Sequence, residues 1–165
     1  MPTIISGDGT ITGLTATGIS AVQNLPAGTI KQVVNFSTNT ETNATTNSYI
    51  DTAITATITP SSASSKILVL VSANGLAKLN TNTTGNLRIV RGATSILIFG
   101  GAFGYTASTA ANAVASASAE YLDSPATTSA TTYKVQVVNS GNSGDIRVNW
   151  DTLANSTITL MEITQ

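Results

Sequence analysis

The stretch TAITATITP, residues 52–60, constrains the fold more than any other part of the chain. Ile54, Ala56 and Ile58 alternate with Thr55 and Thr57. Period two collects the apolar side chains on one face of a strand and the threonines on the other, whereas a helix would scatter them around its circumference. Thr, Val and Ile dominate elsewhere, and the good helix formers Glu, Lys, Gln and Arg are few. Branching at Cβ suits a pleated, half-buried surface, so the chain is expected to be all-β.

Other segments read the same way. TIKQVVNFS predicts a strand over Thr29–Ser37, set off from what precedes it by Pro26 and Gly28. KILVLVSA, Lys66–Ala73, is apolar on both faces and predicts a central strand, covered on both sides or by a neighbouring subunit. NLRIV and SILIF flank RGAT as a hairpin with Gly92 in its turn. TYKVQVV alternates, and DIRVNW predicts Ile146, Val148 and Trp150 inward with Asp145, Arg147 and Asn149 outward. STITLMEIT closes the chain as a strand. The Ala-rich region over residues 105–122 is read as a strand ended by Asp123 and Pro125, with a short helix as the alternative. About eight or nine strands at this spacing predict a jelly-roll-like antiparallel β-sandwich.

The sandwich is assigned to residues 29–165, and residues 1–28 to an extended N-terminal arm. That arm is too apolar for a disordered tail and too rich in Gly for a helix. Ile4, Ile5, Ile11, Leu14 and Ile19 punctuate it without forming one helical stripe, so they are the candidate contacts of an assembly arm that adds to a neighbouring sheet. A flexible leader is the plainer reading.

The chain has 165 residues, no Cys and no His, and a formal net charge of −1 from seven basic and eight acidic residues. Disulfides and thiolate metal sites are thereby excluded, together with the usual general base near neutral pH. No basic footprint for nucleic acid and no cationic cluster for a membrane is visible. The start shows neither a signal peptide nor a membrane span. Charged residues are only 9%, against about 25% in ordinary domains. So little charge suits a chain that works inside an assembly.

Candidate chemistry is sparse, and no cofactor is implied. GDGTITG is one residue too long for a dinucleotide fingerprint and lacks the strand-then-helix context. GNSGDI has the composition of a calcium repeat but occurs once, and reads as a turn. Glu120 and Asp123 would form a carboxylate pair only if they shared a cleft. Ser64, Ser65 and Lys66 are the local candidates for a Ser–Lys pair, but a Lys base must be desolvated and Lys66 follows a polar loop. Arg88 and Arg91 are candidates for pairing across a subunit boundary, with a solvated hairpin edge as the alternative.

The segments SGDGTITGL, LPAGTIKQVVNF, YIDTAITATITPSSASSKILVLVS, LRIVRG, YLDSPATTSATTYKVQVV and STITLMEI together resemble a group of tailed-phage virion structural proteins, frequent in phages of cyanobacteria and other aquatic bacteria. The resemblance runs over almost the whole chain. It implies a virion β-sandwich module, commonly trimeric, without enzymatic activity and with no catalytic motif to carry over. No shaft accompanies the sandwich here. The expected function is therefore a capsid cement (decoration) protein on the virion surface, a homotrimer bound to the major capsid protein. The alternative is a receptor-binding tail-fibre or spike module.

Overall fold

The computed structural model describes residues 4–5, 11–12, 26–141, 144–152 and 154–165. Twelve strands and no helix occur among them: β1 (Ile4–Ile5), β2 (Ile11–Thr12), β3 (Ile30–Thr38), β4 (Thr42–Ala44), β5 (Ile50–Ile58), β6 (Lys66–Lys78), β7 (Gly85–Arg91), β8 (Thr94–Phe103), β9 (Asn112–Asp123), β10 (Thr131–Asn139), β11 (Ile146–Val148) and β12 (Ser156–Ile163). The Ala-rich region is a strand over Asn112–Asp123, as expected. β1 and β2 pair antiparallel with each other, so this part of the arm doubles back.

The remaining strands form two antiparallel sheets. The small sheet has the order β5-β10-β7-β8. The large sheet has the order β3-β12-β6-β11-β4, with β9 on the other side of β6. Four pairings organise the molecule: β3 with β12, β5 with β10, β6 with β9, and β7 with β8. In chain order these are the first long strand with the last, the second with the seventh, the third with the sixth and the fourth with the fifth. The chain is thus one long antiparallel hairpin, its tip at Gly92 (φ +57°), rolled so that successive pairs alternate between the sheets.

The alternation read from the sequence decides which side of each strand faces the other sheet. Ile54, Ala56 and Ile58 of β5 are buried, as are Ile67, Val69 and Val71 of β6. Tyr133, Val135 and Val137 of β10 meet them, with Ile158 and Leu160 of β12. Each fully buried aliphatic chain contributes about 2 kcal/mol relative to exposure.

Around Trp150 the sequence expectation is corrected. Ile146 and Val148 point inward, but β11 ends at Val148. Asn149, expected outside, is buried, and Trp150 is only half-buried in a turn. The cause is backbone geometry. Asn149, Asp151 and Thr152 all have positive φ, which breaks the period-two pattern. The turn docks on a bulge in β6 at Gly75, where the Asn149 and Trp150 N–H groups donate to the Asn74 and Gly75 carbonyls at 2.9 and 3.0 Å.

Residues 26–29 are bonded to the end of β12. The Gly28 N–H donates to the Thr164 carbonyl, and the Thr164 hydroxyl donates to the Pro26 carbonyl at 2.7 Å. The residues just before β3 are thereby tied to the residue that follows β12.

Candidate interaction surface

The outer faces of the two sheets differ in character. On the large sheet, Met161 lies opposite Val33 on one side and Leu68 on the other, and Leu68 lies opposite Leu122. Directly paired residues share a face. Val33, Met161, Leu68 and Leu122 therefore form one apolar row across β3, β12, β6 and β9. Val33 is 54% exposed and Leu122 47%, so the row is open to solvent. The next register step holds Asn35, Thr159, Leu70 and Glu120, and the step on the other side holds Ile163 and Lys66. A shallow hollow lies at Leu70, Ser118 and Glu120.

On the small sheet the outer face carries a polar chain, beside which the exposed Ile98 lies opposite Arg88. Lys134 Nζ and Gln136 Nε2 each donate to Asp51 at 2.6 Å, and Arg88 Nε donates to Gln136 Oε1 at 2.7 Å. The Arg88 guanidinium stacks on the Tyr49 ring, 3.8 Å from its centroid. The Lys134 bond, followed by the Gln136 bond, holds the Asp51 carboxyl below its usual range. Exposed pairs of this kind add little stability.

Arg88 and Arg91, the candidates for pairing across a subunit boundary, both have partners within the chain. Arg88 is held by Gln136 and Tyr49 of its own chain. Arg91 Nη1 reaches both Asp123 oxygens at 2.8 Å. Asp123 is buried and accepts a third bond, from the Tyr133 hydroxyl at 2.7 Å. Glu120 and Asp123 fall on opposite faces of β9, so they share no cleft. Ser65, buried just before β6, donates its hydroxyl to Glu162, whereas Lys66 lies on the outer face opposite Ile163. Ile4, Ile5 and Ile11 lie in the small β1–β2 pair, while Leu14 and Ile19 lie outside the described residues. No group of three or more acidic side chains able to hold a metal ion occurs among the described residues.

Sequence reasoning missed two buried charges. Glu162 accepts from the Ser61 N–H at 2.8 Å, from the Ser61 and Ser65 hydroxyls at 2.5 and 2.7 Å, and from Gln32 Nε2 at 2.5 Å. Burial, the largest influence, pushes this carboxyl up, but the bonds from Ser61, Gln32 and Ser65 together outweigh it and hold the carboxyl at about 2. Lys78, also fully buried, donates to the Asn80, Thr106 and Thr109 carbonyls at 2.9, 3.1 and 2.6 Å. The bonds from Ser61 and Ser65 and those of Lys78 tie loops to the sandwich, and the Gln32 bond ties β3 to β12. A charge inside an otherwise apolar run was the only signal for either residue.

With these clusters satisfied internally, the large sheet's outer face stands apart. Lys66 and Glu120 there have no ion-pair partner among the described residues. No protein-family model matches the chain, and no curated protein matches it.

Proposed function

We propose that this chain is a phage virion structural protein, most simply a capsid cement protein that binds across junctions of the major capsid protein. The observation that carries the reading is the rolled-hairpin strand order of the two-sheet sandwich, which supports a jelly-roll-like assignment, and jelly rolls are common in viral capsids. The sequence resemblance described above supports it. So does the sparing use of charge, since contact surfaces are depleted of charge at their centre. In this role the protein acts by buried area and backbone pairing. Residues 1–28 serve as an arm that adds to a neighbouring subunit, rooted at Pro26 beside Thr164.

The test is copy number in purified virions, by quantitative mass spectrometry against the major capsid protein. A cement protein is present at a fixed ratio to the capsid subunits. A few copies per particle would assign the chain to a tail fibre or spike, and absence from the particle would refute the proposal. Deleting residues 1–24 is expected to weaken attachment to particles while the sandwich still melts cooperatively.

A further inference from the structure

We propose that the outer face of the large sheet is a two-fold contact between two copies of this chain. This rests on the geometry of the face and goes beyond the virion reading. The apolar row Val33–Met161–Leu68–Leu122 crosses the sheet at right angles to the strands. Lys66 lies one register step to one side of it, and Glu120 one step to the other. Neither has an ionic partner among the described residues. On the other face of the molecule Lys134 pairs with Asp51, and Arg88 is held by Gln136 and Tyr49.

An isologous contact requires a surface that complements itself. A two-fold axis along the apolar row places each row on its copy. The same rotation carries the register step of Lys66 over the step that holds Leu70 and Glu120 of the second molecule. Lys66 and Glu120 lie on adjacent strands about 4.8 Å apart, and stacked sheets are about 10 Å apart, which two long side chains bridge. The rotation makes the pair twice. The two cations thus meet the two anions while the apolar groups leave water together.

The face measures about 19 Å across four strands and about 26 Å along eight residues, so two copies cover roughly 1,000 Å² in projection. That is the lower bound for a specific interface. A reversible, concentration-dependent dimer follows, rather than an obligate one. The symmetry differs from the trimer that the resemblance implies.

The experiment is sedimentation equilibrium of the full chain across the micromolar range. The wild type is expected to follow a monomer–dimer equilibrium. Lys66→Glu and Glu120→Lys each set like charges against each other and are expected to raise the dimer dissociation constant at least about tenfold. The two changes together exchange the charges and are expected to restore dimerisation. Val33→Glu, at an exposed site, is expected to abolish it with the melting temperature unchanged. A wild type that is monomeric throughout the range, a trimer without dimer, or a double variant no better than the singles would overturn the proposal.

Discussion

The Tyr133 hydroxyl donates to Asp123 Oδ2 at 2.7 Å, and this bond joins the two sheets. Tyr133 belongs to β10 of the small sheet and Asp123 to β9 at the rim of the large one. Arg91, also from the small sheet, completes the tie. Asp123→Ala leaves a buried hydroxyl and a half-buried guanidinium without their acceptor. The expected loss is about 3 kcal/mol, read as a fall in the denaturant midpoint at constant slope.

The same bond sets the alkaline limit. Burial, and then the Asp123 carboxylate, push the Tyr133 phenol above its ordinary value near 10. The unfolded chain therefore releases this proton first as pH rises. Stability must fall above about pH 10, because the folded state binds more protons there. In Tyr133→Phe that part of the slope is expected to vanish, as checked by urea titrations from pH 9 to about 11.

At the acid end the controlling group is Glu162. Its carboxyl is lowered from 4.5 to about 2. The unfolded state thus takes up the proton first, and the contribution, complete above about pH 4.5, is lost as pH falls toward about 2. Glu162→Gln is expected to be less stable at neutral pH, since its amide N–H faces the Gln32 donor. It is also expected to show a shallower acid limb. Urea midpoints from pH 2 to about 7 measure both effects.

Lys78→Met tests the internal cation. Methionine fills similar space but leaves the Asn80, Thr106 and Thr109 carbonyls without their shared donor. A cost of about 2–3 kcal/mol is expected, with faster amide exchange confined to the loops around residues 80 and 104–111.

A substitution at Gly75 probes the bulge. Its φ is +58°, and an added Cβ would come within 2.8 Å of the Trp150 nitrogen. Gly75→Ala is expected to cost more than about 1 kcal/mol. Trp150 fluorescence is expected to shift to the red as its turn loosens.

The fold was legible wherever one side of a strand is wet. β5 and β10 alternate because the core fills one face, and both were read from that pattern. Leu68 and Leu70 made β6 apolar on both faces, which located the centre of a sheet without saying what covers its second face. Asp123, Glu162 and Lys78 could not be placed in this way. The partners of Glu162 include Gln32, 130 residues away, and no local pattern encodes such a neighbour. Asn149 is buried and Trp150 only half-buried, against expectation, because positive-φ residues follow Val148. Arg88 and Arg91 look like free interface charges in sequence, since Gln136 and Asp123 approach them only through the pairing of other strands.

The rolled hairpin has a kinetic consequence. Its tip, β7 with β8, closes over a short turn, whereas its outermost pair, β3 with β12, joins the two ends of the sandwich. Loop-closure entropy makes the tip early and the outer pair late. Until β12 pairs, β3 has no sheet to join and one edge of β6 stays open. Chains held at that stage present an apolar strand edge to one another, so the timing of β12 docking decides whether the sheet closes within a chain or between chains.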